Sequence, residues 1–159
     1  MKPRESAARV VFVCHGNICR SPLAEMYARD RARREGVAGV EFASAGFVEA
    51  GNPVSTGSAS ALRRLGIEPG PHVSRIISGP MLAGARLVLT MEEDQKKRIL
   101  REMDGLEGRV FSLGEYAGQG GVDVDDPYGG SVEDYDRMAA HVKSLVDEAW
   151  PRLKEIATR

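Results

Sequence analysis

The sequence predicts an α/β fold: one domain, a four-stranded parallel sheet with helices on both faces. Three observations predict it. Short valine-rich runs alternate with longer stretches of helical period, which is the pattern of strand–helix–strand units. The chain has 159 residues with 42% hydrophobic content, enough for one packed core. No internal repeat or low-complexity tract interrupts the alternation.

Residues 1–8 are expected to be a flexible start, and the single domain spans 1–159. Residues 9–14 form an apolar run that reads as a buried strand. Ser21 is expected to cap the first helix, with Pro22 at its first position and Leu23, Met26 and Tyr27 facing inward. Gly36 ends it. A second strand covers 39–46 and leads into a loop broken by Gly51-Asn52-Pro53. The second helix runs from Ser55 or Thr56 to Leu65, with Gly66 as its stop.

Residues 85–91 read as the third strand. The third helix, 92–103, opens with acids and continues with bases, matching its dipole. Residues 109–113 are the fourth strand, and 114–130 are a long glycine-rich loop of the kind that carries function. The last helix starts at Ser131, with Asp134 in the capping-box position. Its apolar stripe includes Val132, Tyr135, Met138, Val142 and Leu145, and Pro151 is expected to bend its last turns. In parallel sheets with right-handed crossovers, ligands bind at the carboxyl ends of the strands. The loops after the first and fourth strands both leave at that end.

The net charge is −1, so no general basic field points to nucleic acid. No apolar run has membrane-spanning length, and the first residues carry no secretory h-region. The chain has two cysteines and three scattered histidines. That is too few for a disulfide framework or a structural zinc site, and a reducing, cytoplasmic setting fits. No metal and no cofactor are expected.

Both cysteines fall in one stretch, Cys14-His15-Gly16-Asn17-Ile18-Cys19-Arg20-Ser21-Pro22, between the first strand and the first helix. A chain that curls there turns successive N–H groups inward, and the helix start adds its positive end. The result is a cradle for a tetrahedral dianion. Gly16 lets the backbone approach closely, and Asn17 tolerates left-handed dihedrals and can brace the curl. Arg20 offers a planar fork to two phosphate oxygens. Such a positive site favours a thiolate, so Cys14 is the expected nucleophile, with the Ser21 hydroxyl donating to it. The leaving oxygen needs a proton donor. Asp123, Asp125 and Asp126 are the candidates, and Asp126 is preferred because Pro127 stiffens its backbone. The same carboxylate can then activate water.

Two stretches, VFVCHGNICRSPLAE (11–25) and DDPYGGS (125–131), together resemble the low-molecular-weight protein tyrosine phosphatases. SAG at 44–46, GNP at 51–53, PHVSR at 71–75 and VLTM at 88–91 follow in the family's order, so the likeness covers nearly the whole chain. The resemblance implies a four-stranded parallel sheet, a cysteinyl-phosphate intermediate and no metal. It implies Cys14 as nucleophile, Arg20 as phosphate-binding arginine, Asp126 as general acid, and Asn17 and Ser21 in support. It implies that His15, Gly16, Ile18 and Cys19 complete the phosphate loop, and that Cys19 can form a reversible disulfide with Cys14. Glu25 and His72 match a polar network beneath the loop; read by itself, His72 is a capping or packing residue.

The implied substrate is a phosphorylated protein, and inorganic phosphate and other oxyanions are the implied inhibitors. Within the family, a bacterial branch of protein-arginine phosphatases carries Thr at the place of Ile18 and Phe at the place of Tyr128. Ile18 adds apolar bulk and no hydroxyl, which favours an aryl ring, so phosphotyrosine is the first reading and phosphoarginine the second. Gly129 stands where animal members often have a second aromatic, and Phe47 is expected to supply that wall. Arsenate reductases share the scaffold but relay a disulfide through further cysteines, which this chain lacks. A non-catalytic phosphate-binding module should have lost the acid or the nucleophile, and both are present.

Overall fold

The computed structural model describes residues 7–158. Of the segment expected to be flexible, residues 1–6 lie outside that range, and Ala8 already belongs to a strand. The order is β1 (Ala8–Val13), α1 (Arg20–Glu35), β2 (Val40–Ala45), α2 (Thr56–Arg64), α3 (Gly79–Ala83), β3 (Leu87–Thr90), α4 (Glu93–Glu102), β4 (Val110–Ser112), α5 (Leu113–Tyr116) and α6 (Val132–Ile156). The strands form one parallel sheet in the order β2-β1-β3-β4. Val10 on β1 pairs with Phe42 on one side and Leu87 on the other. The chain therefore winds outward in opposite directions from β1. This is the topological switch point at which open α/β sheets hold their ligands.

Side chains of β1 alternate between two cores. Val10 and Phe12 pack with Leu23 and Tyr27 of α1, Leu62 of α2 and Val142, Leu145 and Trp150 of α6. Val11 and Val13 pack with Leu82 of α3 and Ile99 of α4. Helices thus cover both faces, as predicted. The exposed edge of β2 is occupied by arginines: Arg29 Nε donates to the Phe42 carbonyl at 2.9 Å and Arg75 Nε to the Ser44 carbonyl at 3.0 Å. Side chains on these carbonyls block pairing with another strand.

Four expectations change. Val132, placed on the inward stripe of α6, is 59% exposed in its first turn. Ser21 does not cap α1; the cap position is Cys19, with no side-chain hydrogen bond, and the helix starts at Arg20, so Pro22 is its third residue rather than its first. The Ser21 hydroxyl is used elsewhere, as described below. α3 and α5, five and four residues long, are too short to register as a period. α6 continues through Pro151 to Ile156, where burial of Leu153 and Ile156 against the first core holds the last turns. The caps at Gly36, Ser55 and Ser131 stand where the sequence puts them.

Candidate active site

β1 ends at Val13 and α1 begins at Arg20, so residues 14–19 must reverse direction at the switch point. Asn17 makes this possible. It is the one non-glycine residue with positive φ among the described residues, at 55°, and it is wholly buried. Its side chain compensates for the strain. Nδ2 donates to Ser21 Oγ at 2.8 Å and Ser44 Oγ at 2.9 Å, and Oδ1 accepts from the Arg75 N–H at 3.1 Å. Ser21 Oγ, which accepts from Asn17, lies 3.0 Å from Cys14 Sγ, where its hydroxyl can donate to a thiolate. The Asn17 backbone N–H also reaches Sγ, at 3.3 Å. The sulfur therefore sits at the focus of donors.

A second layer supports Asn17. Ser44 Oγ donates to Glu25 Oε1 at 2.8 Å, and Glu25 is held in turn by Arg29 at 2.9 Å. His72 Nε2 donates to the Asn17 carbonyl at 2.7 Å, which gives His72 a supporting place rather than a general packing one. Gly46 was not legible as a site residue. A Cβ there would lie 2.8 Å from the His15 carbonyl oxygen and 2.9 Å from the Asn17 nitrogen, so only glycine lets β2 seat the loop. Gly16, by contrast, has room: a Cβ would meet only Ile18, at 3.7 Å.

Arg20 is 1% exposed. Nη1 donates to Glu92 Oε2 at 2.6 Å and to the Val124 carbonyl at 2.8 Å, while Nη2 faces Asp126 Oδ2 at 3.6 Å. Nε has no partner, and among the described residues it is the only buried side-chain nitrogen or oxygen in that state. A buried guanidinium N–H without an acceptor suits an oxyanion over the loop. Glu92, absent from the sequence-based set, orients the fork; it is fixed by Gln95 Nε2 at 3.1 Å in the capping box of α4.

The three aspartates separate by place. Asp123 Oδ1 accepts from the Glu93 N–H at the start of α4, a structural use. Asp125 lines a neighbouring cleft with Arg137 and His141. Asp126 lines the cleft above Cys14, and its Oδ1 is held by the Tyr128 N–H at 3.1 Å. This cleft, about 270 Å³, is also lined by His15, Gly16, Ile18, Cys19, Arg20, Val48, Glu49, Asn52 and Tyr128. Phe47 does not line it. The Phe47 ring packs on the opposite core and under the Arg98 guanidinium at 4.4 Å; Val48, one residue on, is the apolar group at the mouth. His15 is exposed at the rim. Cys19 is buried, 3.6 Å from the Tyr135 hydroxyl, and burial pushes its thiol up from the ordinary value. Both cysteines are free thiols.

A sulfur, a guanidinium and a carboxylate thus converge at the carboxyl end of β1. A family model for low molecular weight phosphotyrosine protein phosphatase matches residues 9–158. A protein-arginine-phosphatase of Bacillus subtilis is 35% identical over 147 residues, which are 92% of this chain and 97% of the relative. The low molecular weight protein-tyrosine-phosphatase PtpB of Staphylococcus epidermidis is 33% identical over 140 residues, 88% and 95% of the two chains. The crystal structure of a YwlE mutant from Bacillus subtilis superposes with a TM-score of 0.86 at 32% identity, covering 93% of this chain and 99% of that one. A low molecular weight protein tyrosine phosphatase from T. tengcongensis gives 0.86 at 33% identity, covering 92% and 99%. Sequence and backbone agree over nearly the full length, and the chain belongs to the low molecular weight phosphotyrosine protein phosphatase family.

Proposed function

We propose that this phosphatase of phosphorylated proteins acts on phosphotyrosine, in the cytoplasm, through a phosphocysteine at Cys14. Cys14 Sγ attacks phosphorus in line, and the bond from phosphorus to the phenolic oxygen breaks as Asp126 protonates that oxygen. The loop N–H groups and the Arg20 Nε–H hold the three equatorial oxygens. Asp126, now a carboxylate, takes a proton from water as the water attacks phosphorus. The S–P bond breaks, and inorganic phosphate leaves. Free phosphate and similar oxyanions compete for the same cradle. Both cysteines as free thiols suit a reducing compartment. No helix among the described residues is long and apolar enough to cross a membrane.

The choice of tyrosine is carried by the mouth of the cleft, where Ile18, Val48 and the ring of Tyr128 offer apolar contact to an aryl group. A second reading, phosphoarginine, is supported by the 35% identity to a protein-arginine-phosphatase and by the acid loop that resembles that branch. Turnover of phosphotyrosine and phosphoarginine peptides by wild type and Ile18→Thr separates the two. The threonine is expected to raise the phosphoarginine-to-phosphotyrosine ratio by roughly tenfold; an unchanged ratio removes Ile18 as the discriminator.

Asp126→Ala is expected to lower kcat/KM for a phenyl phosphate by about 10²–10⁴ while competitive inhibition by inorganic phosphate persists. Equal losses in both would unseat Asp126 as the acid.

A further inference from the structure

Asp126 and the cradle lie on separate parts of the chain, and their direct link is long: 3.6 Å between Arg20 Nη2 and Asp126 Oδ2. A closer tie lies two residues back, where Arg20 Nη1 donates to the Val124 carbonyl at 2.8 Å; it fixes the near end of the acid loop and leaves the end beyond Asp126 to be held from α6. The acid loop is fastened to α6. Gly130 N–H donates to the Pro127 carbonyl at 2.8 Å, and Ser131 and Asp134 close a reciprocal capping box at 2.9 and 3.2 Å. These bonds tie the far end of the acid loop, just beyond Asp126, to the first turn of α6. The cradle is fastened to α2. Ser55 N–H donates to the Ile18 carbonyl at 2.8 Å, and Ser58 Oγ to the Cys19 carbonyl at 3.0 Å.

Tyr135 joins the two assemblies. It stands one turn into α6, and its N–H donates to the Ser131 carbonyl at 3.2 Å. Its ring lies on α2 at Gly57, where a Cβ would come within 2.6 Å of three ring carbons. Its hydroxyl meets Cys19 Sγ at 3.6 Å, at the residue before Arg20. Gly57 is not in a left-handed conformation, so its lack of a side chain serves the close approach of the ring.

We infer that Tyr135 is a positioning residue for the phosphoryl-transfer step, a strut from the base of the acid loop to the end of the phosphate cradle that holds Asp126 at the height of the leaving oxygen. The contact pairs two neutral groups: burial raises the thiol of Cys19, and burial followed by the contact with Cys19 pushes the phenol to about 12. Both keep their protons over the range in which the enzyme would work, so the strut does not loosen with ordinary changes of pH. The inference rests on Asp126 being the general acid.

The test is kcat/KM for a series of aryl phosphates of increasing leaving-group pKa, since this quantity reports the first chemical step. Tyr135→Phe keeps the ring on Gly57 and removes only the hydroxyl. Its loss is expected to be absent for the most acidic leaving group and to grow to about threefold to tenfold for the least acidic. Inhibition by inorganic phosphate is expected to stay at the wild-type level. In an Asp126→Ala background the same substitution is expected to change nothing further. A loss equal across the series, no loss at all, or a full further loss in the Asp126→Ala background overturns the inference. If Asp126→Ala alone shows no dependence on the leaving group, the acid assignment itself fails, and that result is read without Tyr135.

Discussion

Cys14→Ser is expected to abolish turnover of p-nitrophenyl phosphate, by on the order of 10⁴–10⁶, in an assay with no added metal. The substitution is nearly isosteric, and both groups that reach the sulfur, the Asn17 N–H and the Ser21 hydroxyl, can donate to an oxygen instead. What is lost is the nucleophile: a hydroxyl is a weak one at neutral pH unless a base activates it. No base is free to do so: Ser21 is directed by Asn17, and Asp126 in its proposed role must keep its proton for the leaving oxygen, so it cannot also take one from the serine. The oxyanion site should survive. Its donors are loop N–H groups and Arg20, so calorimetric titration with inorganic phosphate is expected to show binding by the serine variant. A serine variant retaining more than about one hundredth of wild-type turnover would show that Cys14 is not the group that attacks phosphorus.

Legibility from sequence followed the range of the interactions. The strand runs, the caps and the left-handed turn at Asn17 are local choices, and local chemistry announces them. Ser21 shows where local reasoning misleads. A serine before a proline at a helix start reads as a cap, yet a tertiary acceptor seven residues back takes its hydroxyl. Phe47 and Val48 show the same limit. They are neighbours in a loop, and nothing local says which one turns toward the cleft; the aromatic ring packs on the second core beneath Arg98 of α4, and Val48 is left at the mouth. Gly46 and Glu92 were out of reach because their reasons lie across the sheet. Gly46 is small because of the His15 carbonyl, and Glu92 is acidic because of a guanidinium 72 positions away. Asp126 could be preferred over Asp123 from its proline; that Asp123 is engaged at the start of α4, which supports the preference, needed the fold.

Arg20→Lys carries the second large effect. The arginine performs two tasks with different atoms of one plane. Nη1 is spent on Glu92 at 2.6 Å and the Val124 carbonyl at 2.8 Å, contacts that tie α1 to β3's exit and to the acid-loop segment. Nε, buried and without an acceptor, is left to face an oxyanion. A lysine carries one ammonium at the end of a flexible stem. It can sit against Glu92 or against phosphate, and it offers no second, coplanar donor to either. The nearby carboxylate will hold it in the absence of substrate. The charge is therefore retained while the donor aimed at phosphorus's oxygens is lost, and kcat/KM is expected to fall by about 10²–10³. Phosphate inhibition should weaken in parallel, in contrast to Asp126→Ala, because in the proposed role Arg20 would hold the oxyanion in ground state and transition state alike. Thermal unfolding of the lysine variant checks that the defect is at the site. If kcat/KM stays within about threefold of wild type, net charge alone suffices there, and the partition of the guanidinium between Glu92 and phosphate is not what the enzyme uses.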